Sequence, residues 1–158
     1  QNRCLSAAIE EVHHARMMNQ LLQDSGGCSQ PLSFGTLPKR SLYELTLDNA
    51  IEGCIFESYS ALKAMYQARH ATDERILSVM KIIAKDELGH AQLSWDIHHY
   101  LMTKLSKTEQ RAISNAQRKA LQDVNHQAQL EFNLPQSSSL GFPPITVAES
   151  FAQKLKIA

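Results

Sequence analysis

One pattern constrains this chain more than any other. Glu11-Val12-His13-His14 and Glu87-Leu88-Gly89-His90 each place Glu-x-x-His inside a segment of helical apolar spacing. On a helix, side chains three residues apart share a face, so one carboxylate and one imidazole can reach a common ion. A single such pair arises readily by chance. Two pairs on two separate helices form the donor set of a paired-metal carboxylate site inside a helical bundle. An acid precedes each ligand Glu, Glu10 in the first copy and Asp86 in the second.

Helical periodicity runs through the rest of the chain. At about 100° per residue, Cys4, Ala7, Ala8, Ala15, Met18 and Leu22 fall within about 60° of Glu11, with His14 about 60° to one side. Glu10/His13 is a second Glu-x-x-His register pointing further away, so this stripe selects Glu11/His14 as the inward pair. Residues 24–40 form a Gly/Ser/Pro-rich connection, too long for a tight turn and suited to crossing the bundle. Ser41 and Glu44 make a capping box for a second helix reaching about residue 69, with Leu47, Ile51, Cys54, Ser58, Ala61 and Met65 along one stripe. Thr72 is the expected N-cap of a third helix to about residue 104, striped by Ile76, Met80, Ile83, Glu87, Ala91, Ser94 and His98. Ser106 and Glu109 cap a more polar helix to about residue 132. A loop over 133–144 follows, and Thr146 with Glu149 is expected to cap a terminal helix. No strand pattern competes. The expected fold is all-α, with residues 1–105 as the core of an antiparallel helical bundle and residues 106–158 as C-terminal helices packed on it within one domain.

The 158 residues suit one domain with a real core. Sixteen basic and sixteen acidic residues cancel, leaving no basic field for nucleic acid. No apolar run approaches the roughly 18 residues of a membrane span. Cys4, Cys28 and Cys54 lack C-x-x-C spacing, which argues against a zinc knuckle or thioredoxin-type site. Their odd count fits three free thiols best, with a Cys4–Cys28 disulfide as the alternative. The chain opens Gln1-Asn2-Arg3 without Met or a visible signal. A cytoplasmic location is favoured, and a processed N-terminus stays open.

A carboxylate inside an apolar stripe is costly unless its charge is compensated. Three helices each carry one: Glu11, Glu57 and Glu87. On the second helix, Glu57 lies about 60° from the stripe centre at Cys54 and Glu52 lies nearly opposite. A regular helix selects Glu57. A one-residue π-bulge would bring Glu52 closer to the same face, so Glu52 stands as a second candidate. Two Fe(II) or Mn(II) ions need hard oxygen donors, bridging carboxylates and one imidazole each. The bland reading makes both His residues core histidines in buried ion pairs with the Glu residues, and one pair alone would favour it. Two pairs with a third inward Glu favour metal, with zinc a further candidate ion. His98, about 16 Å from Glu87 along its helix, reads as a packing residue. His70, His99 and His126 read as solvated, Tyr59, Tyr66 and Trp95 as packing groups, and Lys104, Lys107, Arg111, Arg118 and Lys119 as a solvated basic face.

Ile9-Glu-Glu-Val-His-His-Ala-Arg16, Asn49-Ala-Ile-Glu-Gly-Cys-Ile-Phe-Glu-Ser58 and Ile83-Ala-Lys-Asp-Glu-Leu-Gly-His-Ala91 resemble the ferritin-like superfamily of rubrerythrins, bacterioferritins and di-iron oxygenases. The likeness is nearest to bacterial ferritin-like domain proteins of poorly defined function and covers roughly the first two thirds of the chain. It implies a four-helix bundle with four Glu and two His around two irons. By position it makes Glu11, His14, Glu87 and His90 ligands, with Glu57 or Glu52 from the intervening helix. Asp86 and Glu10 take the place of acids that, in some relatives, buttress a His on the partner helix. Members of the superfamily carry a further helix, with another Glu, ahead of the first Glu-x-x-His helix, and this chain begins too late to contain it. Either the sequence is truncated there, or Glu52 substitutes, or another chain supplies the group, or the site is incomplete, and an open flank would favour a homodimer. The implied function is a di-iron or di-manganese protein using O2 or peroxide, a metal-dependent oxidoreductase. The alternative is a non-catalytic helical interaction module with a partial or vacant metal site.

Overall fold

The computed structural model describes residues 2–30, 35–36, 38–135 and 137–155. Positions 31–34 and 37 of the expected crossing connection lie outside that set. The described residues are helical without strands: α1 (Asn2–Asp24), α2 (Leu42–Asp48), a π-helical segment (Asn49–Glu57), α3 (Ser58–His70), α4 (Glu74–Met102), α5 (Lys107–Phe132) and α6 (Ile145–Lys154). The second sequence helix is thus one run in which α2, the π segment and α3 follow without a break.

Local chemistry sets most of the ends. Ser41 accepts from Glu44 N–H while the Glu44 carboxylate takes the Ser41 N–H, and Ser106 with Glu109 repeats the box at α5. Two ends differ from expectation. Asp73, not Thr72, caps α4: its carboxylate accepts from Arg75 N–H at 2.9 Å and also grips the Arg75 guanidinium. An ionised acid at this position answers both the free N–H groups and the helix dipole, which a hydroxyl does less well. At α6, Pro144 stands at the N-cap without a side-chain bond, so Thr146 lies already inside the first turn. The fixed φ of proline starts the helix two residues earlier than a Thr146 cap would.

Packing falls into two clusters. Ile55, Tyr59, Ala120, Val124, Ala128, Ala148 and Ala152 join the π segment and the start of α3 to α5 and α6. Ala64, Met80, Ile83 and Ala84 join α3 to α4, with Met17 of α1 at their edge. The α4 stripe is buried as its spacing requires, at Met80, Ile83, Glu87, Ala91 and His98. Trp95 anchors α4 by donating to Ser58 Oγ at 3.1 Å, and buried His98 sits edge-on to its ring.

The first helix departs from its expected orientation. His14 is its only buried side chain, while Ala7, Glu10, Met17 and Leu21 are half-buried. The stripe centred on Glu11 is exposed instead, including Cys4, Met18 and Leu22, and so are Leu5, Ile9 and Val12 on an adjoining face. Apolar residues therefore cover more of α1 than a single neighbour, α4, can bury. The polar pair His14/Glu10 decides which face turns inward. Cys4, Cys28 and Cys54 are all free thiols, the last one buried.

Candidate metal centre

Halfway along α1 and α4 the two Glu-x-x-His pairs meet. Glu11, His14, Glu87 and His90 bring one ligand atom each to within 4.8 Å of one another, and three of the four residues are buried. Glu11 Oε1 lies between the two imidazoles, 2.9 Å from His90 Nδ1 and 3.4 Å from His14 Nδ1. Glu87 Oε1 is 3.2 Å from His14 Nδ1, and Glu57 Oε1 stands 3.8 Å from His90 Nδ1. Glu57 thus flanks the group from a third element. Glu52 is exposed and outside it.

The preceding acids do something the spacing alone did not dictate: they cross. Asp86 of α4 lies 3.1 Å from His14 Nε2 on α1, and Glu10 of α1 lies 2.7 Å from His90 Nε2 on α4. A carboxylate beside Nε2 can hold the ring proton there, and in the tautomer with that single proton Nδ1 is left as a free lone-pair donor. The Nδ1 lone pair of each ring then points into the cluster, the state a metal-binding imidazole requires. His14 Nδ1 is buried and has no hydrogen-bond partner, although Glu87 Oε1 is only 3.2 Å away. With Glu87 ionised these are two acceptors facing each other, and a cation between them would satisfy both. The donor set therefore fits a metal ion.

Electrostatics lead to the same requirement. The Glu87 carboxyl is pushed up to about 9, first by burial, then by its hydrogen bond to Glu57 and the charges of Glu57, Glu11 and Asp86. Five carboxylates around two imidazoles cannot all ionise at low cost without a compensating cation. Glu11, with a side chain 53% exposed, is the hydrated edge of the group rather than part of a sealed core.

What brings Glu57 to the group is the π segment, and several residues there carried no sequence signal. Asn49 Nδ2 donates to Ser94 O at 3.0 Å, and the buried Cys54 thiol donates to the same carbonyl at 3.5 Å. Gly53 closes the lock, since a Cβ there would sit 2.8 Å from Ser94 Oγ and 2.9 Å from Asn49 Oδ1. At about 4.4 residues per turn, a π-helix advances about 82° per residue instead of about 100°. Asn49, Gly53, Cys54 and Glu57 then fall within about 65° of Asn49, whereas an α-helix would swing Cys54 about 140° away. The π register therefore lets one face both grip α4 at Ser94 and present Glu57 one turn away, at His90. Burial pushes the Cys54 thiol up to about 12, so it acts as a neutral donor. Glu52 comes about 50° round from Glu57, nearer than in an α-helix, and still faces solvent.

No protein-family model matches the chain, and no curated protein or solved structure matches it significantly.

Proposed function

We propose that this chain is a ferritin-like metal carboxylate protein holding two iron or manganese ions, and that it is an oxidoreductase acting with O2 or peroxide. The crossed acid–histidine pairs carry the reading: each Nε2 has an acid from the other helix, and each Nδ1 faces the shared carboxylates, the orientation of an imidazole buttressed for metal binding. Glu11, His14, Glu87 and His90 would hold the metal, with Glu57 adding a carboxylate from the π segment. When bound, redox-active ions supply electron exchange with O2 or peroxide. The protein's share is positional: Asp86 and Glu10 hold the imidazoles, Glu11 takes the middle position between them, and Ile83, Ala84 and Ala91 keep water from the α4 side.

One observation favours a second reading, a non-catalytic helical interaction module whose metal is structural. Leu5, Ile9 and Val12 are each at least half exposed on α1. A face of this kind suits burial against a partner, including a second copy of the chain. The readings separate on purified protein loaded with Fe(II) in the absence of O2. The oxidoreductase reading expects about two irons per chain and O2 consumption on aeration, both reduced by Glu87→Gln. Protein that takes up no metal, or whose iron does not respond to O2 or peroxide, refutes it.

A further inference from the structure

Two adjoining clefts of about 300 and 260 Å³ run from the metal ligands along the gap between α1, α3 and α4. The inner one ends on His14 and Glu87 and passes Ala64 and Ile83. Met18, Gln67, Met80 and Phe142 line both clefts, so the two share a wall. The outer part continues between Leu21, Leu22, Ile76 and Leu140. A backbone strap holds its far wall: Gln67 Nε2 donates to Leu140 O at 2.9 Å.

The charges decide what such a space would take. Lys63 lines the inner cleft, but its ammonium is held by Glu131 at 2.6 Å. Arg75 lines the outer cleft, and Asp73 grips its guanidinium at 2.6 Å. Both cations already have a carboxylate partner, so an anionic head group would have to compete for them. Glu87 is the carboxylate that lines the inner cleft, and under the proposed function a metal ion takes its charge, so a cationic ligand would lie along methionine, leucine, isoleucine and phenylalanine walls that desolvate it without pairing. The geometry points to a neutral, largely apolar molecule, alkyl or aryl, bound in this cleft with one end against His14 and Glu87. This inference rests on the metal centre proposed above and names the substrate class of that centre. The thioether side chains of Met18 and Met80 suit it, since they adapt to irregular apolar shapes. The inner cleft by itself, at about 300 Å³, reaches the range of small-molecule sites.

The test uses protein loaded with Zn(II), which is redox-silent, and the neutral fluorophore N-phenyl-1-naphthylamine, with metal content measured on the same samples. Saturable binding is expected, weakened at least tenfold by Ala64→Phe, which fills the inner cleft. Ser60→Phe, on the half-buried wall beside it, should do the same and serves if the first variant does not fold. Ile82→Gln, on the exposed side of α4, should leave binding unchanged. Metal bound in full without saturable probe binding overturns the cleft assignment and leaves the metal reading intact. So does binding that survives both fillings or falls equally with Ile82→Gln. Probe binding in protein that takes up no metal refutes the metal reading instead, and the substrate assignment falls with it. A self-associated form that excludes the probe gives the cleft to a second copy and also overturns the proposal.

Discussion

Glu87→Gln offers a quantitative check on the electrostatics of the centre. The native carboxyl is shifted from an ordinary 4.5 to about 9, with burial the largest cause and the Glu57 carboxylate next. A raised carboxyl makes its full contribution to stability below the unfolded value and loses it as pH climbs toward the folded one. The metal-free protein should therefore weaken between about pH 4.5 and pH 9. From 4.5 to 7, at 1.36 kcal/mol per pH unit, this comes to about 3 kcal/mol spread over the carboxylate cluster. The neutral, isosteric Gln cannot ionise, so this part of the slope disappears. Urea unfolding in the presence of a chelator, measured at pH 5, 6, 7 and 8, isolates the effect as the difference between wild type and variant. The variant should gain steadily on the wild type as pH rises. Added Zn(II) or Mn(II) should reverse the order. An ion at 1,000 times its dissociation constant stabilises the wild type by about 4.1 kcal/mol, more than that penalty, and the variant binds it poorly. A wild-type-minus-variant difference that stays level from pH 5 to pH 8 would refute the argument that Glu87 is a forced, uncompensated acid.

Four further substitutions test three separate parts of the structure. Asp86→Asn and Glu10→Gln should each weaken metal binding about 10- to 100-fold in chelator competition, because each frees an imidazole on the other helix. Equal affinity in wild type and variants would show that the crossed contacts are incidental. Gly53→Ala should push Asn49 and Ser94 apart and lower metal stoichiometry or affinity through Glu57, even where circular dichroism shows the helices intact. Unchanged metal binding would remove the π segment from the account. Tyr59→Phe should be neutral or stabilising by up to about 1 kcal/mol in urea unfolding, since the native hydroxyl is buried, 1% exposed and without a partner. A loss above about 1 kcal/mol would mean that the hydroxyl has a bond.

The Glu-x-x-His pairs were legible because helical spacing is a local property: three residues apart means one face, whatever the fold. Long apolar stripes likewise placed Met80, Ile83, Glu87 and Ala91 in the core of α4. The orientation of α1 was not legible, because apolar residues cover more than one of its faces and only tertiary contact with α4 chooses His14's side. The capping acid at α4 lost out to a neighbouring Thr in the sequence reading, since position alone does not reveal that Asp73 also grips Arg75. The full π segment was equally hidden. Its cause is a carbonyl at Ser94, 45 residues from Asn49, and no window along the chain joins the two.

The crossing of the two acids has a consequence for how α1 is seated. With a single buried side chain, α1 has little apolar packing to set its position along α4. Its axial position is gauged by polar contacts: Asp86 to His14, Glu10 to His90, Glu11 to both rings. A slip of one turn, about 5.4 Å, would break all of these together and leave no partial match. Under the proposed function, metal uptake and the docking of α1 are then one event. An ion clamps the two helices in register, and its loss should make α1 the first element to come free.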